Sequence, residues 1–208
     1  MAKSIQVGSL APDINLPDQD GKTTKLSALR GKWVLVYFYP RDDTPGCTIE
    51  ACGLRDAHAP YAKLGIDVLG ISADSVKSHK KFANKFKLPF TLLADEDKSA
   101  INAYGTWGRK KFMGREFDGI LRQSFLVDPK GKIAKIYPKV KPEGHAEEVM
   151  ADVAALGGKS NGKSNGALKP VAKATPKKAA SKKAPLKKAT SAKSASGSKK
   201  LKKAAAKR

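Results

Sequence analysis

The sequence predicts a three-layer α/β domain with a mixed sheet, followed by a basic tail too poor in large apolar residues to fold. Three observations carry that reading. The run "KWVLVYFYP", ending at Pro40, is continuously apolar, as a strand buried on both faces must be. Segments of strand and helix character alternate after it. Of the 41 basic residues 17 fall from Lys159 onward, with none of the 19 acidic ones.

Beyond Pro40 the hydrophobic period changes. From Pro45 to about Lys63, Ile49, Leu54 and Ala57 recur at broadly helical spacing, and Gly65 ends the segment. "IDVLGIS" at 66–72 reads as strand, "SVKSHKKFANKFKL" at 75–88 as an amphipathic helix showing Val76, Phe82 and Phe86, and "FTLLAD" at 90–95 as strand. A short helix is expected near "KSAINAYGTW". "LRQSFLVD" and "KIAKIYP" flank Pro129-Lys130-Gly131, a turn signal suited to an antiparallel hairpin. "HAEEVMADVAALG" closes the domain as a helix with Val149, Met150, Val153 and Leu156 on one face. Parallel alternation followed by a hairpin makes the sheet mixed.

These elements place one domain over residues 1–157 and a linker and tail over 158–208. The first part carries 24 basic against 19 acidic residues, an ordinary globular balance, so the net charge of +22 belongs mostly to the tail. The N-terminal stretch has no apolar core of signal-peptide length, and no run approaches a membrane span. A soluble cytoplasmic protein is the expectation. In a reducing compartment its two cysteines favour catalysis or redox sensing over a permanent staple.

Both cysteines lie in "YPRDDTPGCTIEACGLRD". With Thr44 as N-cap and Pro45 in the first helical position, Cys47 falls in the first turn. There the helix dipole and unpaired backbone N–H groups favour thiolate over thiol, which marks Cys47 as a nucleophile. The ordinary fate of a lone cysteine, a small buried hydrophobe, fits that position less well. Cys52 lies five residues on, about 7.5 Å along the same helix and about 140° past a full turn, beyond disulfide reach unless the helix unwinds. Such a pair suits a transient bond, with Cys47 oxidised to a sulfenic acid that Cys52 attacks with loss of water. A buried Cys52 with no role is the alternative.

The segment "FYPRDDTPGCTIEACGLRD" closely resembles the active-site segment of the bacterioferritin-comigratory, or Q-type, peroxiredoxins, which read Pro-x-x-x-Thr-x-x-Cys with a second Cys five residues later. Pro40, Thr44, Cys47 and Cys52 match it position for position, and the likeness continues through "ISADSVKSHKKFANKF", "FTLLADED", "RQSFLVDPKGKI" and "GHAEEV". The resemblance implies a thioredoxin-like fold, reduction of hydrogen peroxide or organic hydroperoxides without a cofactor, and recycling by thioredoxin or a similar dithiol protein. A monomer is the expectation. It assigns Arg122 to the thiolate and the breaking O–O bond, Thr44 to orienting thiolate and peroxide, Pro40 to shielding the thiolate, and Glu50 to bracing the arginine. Without the resemblance, Arg122 reads as a surface charge, Pro40 as the end of a strand and Glu50 as an exposed first-turn acid.

Other motifs are weaker. His58, His79 and His145 are scattered without ligand spacing and read as surface or capping residues, so no metal is expected. "DQDGK" at 18–22 lacks the later ligands of a calcium loop and reads as a turn.

The tail opens with the flexible "GKSNGKSNG" and continues with lysine pairs at Lys177/Lys178, Lys182/Lys183 and Lys187/Lys188, then Lys199/Lys200 and Lys202/Lys203. A five-residue step turns about 500° on a helix, so no apolar face forms and the membrane is disfavoured. Such a composition stays disordered when free. It is similar to linker-histone tails and to Lys/Ala-rich bacterial nucleoid proteins, and it would bind DNA through phosphates without reading sequence. The competing readings are a solubilising tail, or one that binds polyphosphate or anionic lipid. Docking on DNA would associate the protein with a nucleoid, or with the nucleus if the cell has one.

Two functions therefore stand side by side: a thiol peroxidase, and a DNA-binding protein whose domain guards its surroundings against peroxide. A general disulfide exchanger is disfavoured because C-x-x-C is absent.

Overall fold

The computed structural model describes residues 5–112 and 114–157. Its centre is β3 (Trp33–Phe38), because every residue from Val34 to Tyr39 is buried and the alternating side chains feed two cores. Leu35, Tyr37 and Tyr39 face one core, and Val34, Val36 and Phe38 face the other. Each such side chain contributes about 1.5–3 kcal/mol on burial, which explains why the most apolar run takes the middle of the sheet.

β4 (Ile66–Ser72) pairs parallel with β3, and β5 (Thr91–Ala94) parallel with β4. On the other side β8 (Gln123–Val127) pairs antiparallel with β3, and β9 (Ile133–Tyr137) antiparallel with β8. The order β5-β4-β3-β8-β9 is the mixed sheet the sequence predicts, and the fold is thioredoxin-like. Gly131, at φ +77°, donates to the Asp128 carbonyl in the β8–β9 turn, a backbone angle that favours glycine.

One face of the sheet carries α1 (Pro45–Asp56), α2 (His58–Leu64), α3 (Val76–Phe86) and α5 (His145–Ala155). The other carries α4 (Ser99–Ala103) and the hairpin of β1 (Asn15–Pro17) with β2 (Thr23–Lys25). "DQDGK" forms the turn of that hairpin, where Asp18 Oδ1 accepts from the Asp20 and Lys22 N–H groups.

Three details depart from the sequence reading. The single helix expected over Pro45–Lys63 is two, broken at Ala57, because Pro60 lacks the N–H that would continue the ladder. Ile49 and Leu156, expected on buried faces, are exposed. The segment after α4 contains an antiparallel hairpin, β6 (Trp107–Phe112) with β7 (Arg115–Ile120), which its charged, glycine-interrupted sequence did not announce. No helix among the described residues is long and apolar enough to cross a membrane.

Candidate active site

The site lies where β3 ends and α1 begins. Pro40 follows the strand, half-buried, and the loop Arg41–Thr44 delivers the chain to the helix. Thr44 is the N-cap by its extended backbone, φ −97° and ψ 151°, with Pro45 in the first helical turn, as the sequence predicts. Its side chain does not cap: Oγ1 donates to the Arg41 carbonyl at 3.0 Å and tightens the loop instead. Cys47 follows in the first turn, 2% exposed, and Cys52 lies on the same helix, partly buried; both are free thiols.

Sheet register brings in the arginine. Gln123 pairs with Phe38, so Arg122, one residue before β8, stands at the end of β3 from which the Cys47 loop departs. Its Nη2 donates to Cys47 Sγ at 3.1 Å, and its Nη1 pairs with Glu50 Oε2. The planar fork of a guanidinium lets one side chain bridge thiol and carboxylate. Gly46 leaves room for it, since a Cβ there would lie 3.3 Å from Arg122 Nη2.

Glu50 is inside the protein, 1% exposed, and not the exposed acid that its sequence position alone suggests. Burial raises its carboxyl to about 7 against the opposing pull of Arg122. Burial also disfavours the Arg122 charge, but Glu50 and Cys47 outweigh it and hold the guanidinium above its ordinary range. Glu50 Oε1 and the Tyr37 hydroxyl are buried and have no hydrogen-bond partner among the described residues.

Sequence reasoning missed four residues around this centre. Lys110 of β6 donates to the Ile120 carbonyl at 2.6 Å; burial and then Arg122 lower its amine, while Cys47 acts the other way. With Pro40, Trp107 and Phe117 it lines a cleft of about 360 Å³. Tyr37 lies beneath the site on β3. Asp42 and His79 meet at 2.9 Å, although 37 residues separate them. His79 and His145 are both buried, which corrects the surface role expected of them. The apolar run places Tyr37 in a buried strand without marking it for the site, and no local signal marks Lys110, Asp42 or His79, whose partners lie on non-adjacent elements.

Among the described residues no cluster of three or more His, Cys, Asp or Glu is placed to hold a metal ion. The lysines expected to meet nucleic acid all lie outside the described residues: Lys177 and Lys178, Lys182 and Lys183, Lys187 and Lys188, Lys199 and Lys200, Lys202 and Lys203. A buried thiol at a helix N-terminus, touched by a guanidinium, is suited to nucleophilic attack on an electrophilic oxygen.

Comparison with known proteins agrees with that chemistry. The model of the AhpC/TSA family matches residues 7–136. The putative peroxiredoxin bcp of Coxiella burnetii is 50% identical over 147 residues, covering 71% of this chain and 97% of the relative. Peroxiredoxin Bcp of Escherichia coli is 48% identical over 146 residues, covering 70% of this chain and 94% of the relative. Among solved structures, the bacterioferritin comigratory protein of Xanthomonas campestris, studied for its alkyl peroxide reduction activity, superposes with a TM-score of 0.67 at 35% identity. That match covers 73% of this chain and 99% of the other. A cysteine-to-serine mutant of PrxQ from Xylella fastidiosa gives a TM-score of 0.70 at 30% identity, covering 74% and 98% of the two chains.

Proposed function

Because this chain belongs to the AhpC/TSA family, as a peroxiredoxin of the Bcp/PrxQ type, we propose that Cys47 is its peroxidatic residue and Cys52 its resolving one. The observation that carries the assignment of Cys47 is the 3.1 Å contact of Arg122 with Cys47 Sγ at the start of α1, and Cys52 follows as the other free thiol of the same helix.

The Cys47 thiolate attacks the terminal oxygen of the hydroperoxide, the O–O bond breaks, and the alkoxide or hydroxide leaves and takes a proton. Cys47 becomes a sulfenic acid. Arg122 donates to the oxygens as negative charge moves onto the leaving one, which is where a fixed cation lowers the barrier most. Glu50 holds the guanidinium in place, Thr44 tightens the loop, and Pro40 covers the thiolate. Local unwinding of α1 then lets the Cys52 thiol attack Cys47 Sγ; water leaves and a disulfide forms. A thioredoxin-like dithiol protein restores both thiols by exchange.

Peroxide consumption with a thioredoxin system tests the assignment. Cys47→Ser should be inert, whereas Cys52→Ser should consume one equivalent and stall. Sustained turnover by Cys47→Ser would overturn it.

The basic tail supports a second activity, non-specific DNA binding, which would station the peroxidase beside DNA. The matched relatives are covered nearly end to end while this chain is covered over 70–71%, so the Lys/Ala-rich segment is additional to the shared domain. If some 6 to 10 phosphates are engaged, affinity should fall by roughly 10³ to 10⁵ between 50 and 200 mM salt. A gel shift with and without residues 159–208 decides the matter: equal affinity at low salt would remove the tail from the account.

A further inference from the structure

Asp42 lies in the loop between β3 and α1, and its side chain is buried. Three side chains converge on its carboxylate. The Tyr39 hydroxyl donates to Oδ1 at 2.7 Å, Ser78 Oγ donates to Oδ2 at 2.7 Å, and His79 Nδ1 lies 2.9 Å from Oδ2. The Asp42 N–H donates to Asp74 Oδ2 at 2.9 Å, so the backbone is held as well. Beyond the ring, His79 Nε2 lies 3.1 Å from the Leu93 carbonyl, and His79 is 0% exposed.

Each nitrogen of that imidazole faces an oxygen that accepts. A neutral ring satisfies one contact and sets a lone pair against the other, whereas the doubly protonated ring satisfies both. Burial disfavours the Asp42 charge, yet the hydrogen bonds and charge of His79, with those from Ser78 and Tyr39, hold its carboxyl below the usual range. A buried pair of this kind is weak evidence for stability, because desolvation offsets the attraction. Its position suggests another use.

The neighbouring residues fit that use. Asp43 adopts φ +53°, a left-handed angle uncommon for a residue with a side chain, and pairs with Lys85 of α3 at 2.6 Å. Consecutive loop residues are thus tied to α3 immediately before Thr44 starts the cysteine helix.

We propose that His79 and Asp42 are positioning residues for the thiol reaction, a buried pair that fixes the start of the Cys47 helix on α3 while the rest of α1 unwinds to admit Cys52. This inference rests on the assignment of Cys47 and Cys52 above. The two chemical steps ask opposite things of α1. Attack on peroxide requires Cys47 held against Arg122, and disulfide formation requires the helix to open. An anchor at the N-terminal end of α1 serves the first step and confines opening to the turns that follow.

The test separates the steps in the full-length protein. After rapid mixing with hydrogen peroxide, quenched samples are scored for Cys47 sulfenic acid and for the Cys47–Cys52 disulfide, with thermal melts alongside. His79→Gln and Asp42→Asn are expected to slow sulfenic acid formation roughly ten- to a hundred-fold, as misplacement of a reacting group does. The disulfide step should keep its rate or quicken. Wild-type rates for the first step in both variants would overturn the proposal, and so would an equal slowing of both steps, the mark of general loosening. Should His79→Gln not fold, Ser78→Ala removes one neutral donor from Asp42: a slower first step supports the anchor and an unchanged one refutes it. If the wild-type protein forms no Cys47–Cys52 disulfide, the parent assignment has failed, and the first step still judges the anchor.

Discussion

Arg122 Nη2 lies 3.1 Å from Cys47 Sγ, a contact across 75 residues of sequence that depends on the antiparallel register of β8 against β3. The same guanidinium holds Glu50, so thiol, arginine and carboxylate form one unit. Its parts are not interchangeable.

Arg122→Lys keeps the charge and loses the fork. One ammonium cannot bridge Glu50 and Cys47 in the same geometry. The second-order rate of Cys47 oxidation should fall about a hundred-fold or more, the magnitude seen when one fixed donor is taken from a developing oxyanion. Stopped-flow oxidation with hydrogen peroxide measures it, and a loss under about three-fold would show that charge alone suffices.

Glu50 makes stability depend on pH. Burial raises its carboxyl from 4.5 to about 7 despite Arg122. Between those values the folded protein keeps the proton that the unfolded chain has released, so this contribution is full below about pH 4.5 and lost as pH rises through about 7. The shift corresponds to about 3 kcal/mol over that window. Glu50→Gln should therefore gain on the native chain as pH rises from about 5 to about 8 in urea unfolding. A gap that stays constant over this range would contradict the assignment.

Gly70 has no room for a side chain. A Cβ at this position of β4 would lie 2.6 Å from the Tyr37 hydroxyl and 2.7 Å from the ring, both buried in the core. Gly70→Ala should cost about 1–3 kcal/mol by overpacking, read as a lower midpoint in chemical denaturation. An unchanged midpoint would mean that the Tyr37 ring moves freely.

Tyr37→Phe should act in the other direction. The hydroxyl it removes is buried and has no partner among the described residues. Relief of that desolvation should stabilise the protein by about 1 kcal/mol while the ring keeps its stacking on Tyr39. Destabilisation on the same denaturation curve would reveal a hydrogen bond to this hydroxyl.

Much of the fold was legible in the chain because local patterns carried it. β3 announced itself by an unbroken apolar run, the β8–β9 hairpin by Pro129 and Gly131, and the Cys47 helix by Thr44 and Pro45 at its start. The hairpin of β6 with β7 was not legible, since its alternation of lysine, glycine and aromatic residues resembles loop composition. Nor was the break at Ala57, because the apparent apolar stripe of Ile49, Leu54 and Ala57 runs up to it although Ile49 points outward.

The site divides along the same line. Cys47, its helix terminus and the distance to Cys52 are properties of one short segment, and the sequence alone determined them. Arg122, Glu50, Lys110 and the Asp42–His79 pair have meaning only through partners on other elements. In the sequence only the resemblance gives Arg122 and Glu50 a role at the site, His79 reads as a surface or capping residue, and nothing marks Lys110 or Asp42. Burial turned an apparently exposed Glu50 into a carboxyl pushed up to about 7 and an apparently superficial His79 into a buried partner of Asp42. The physical reason is that capping and periodicity act within a few residues, whereas desolvation and charge pairing depend on what the folded chain brings to the same place.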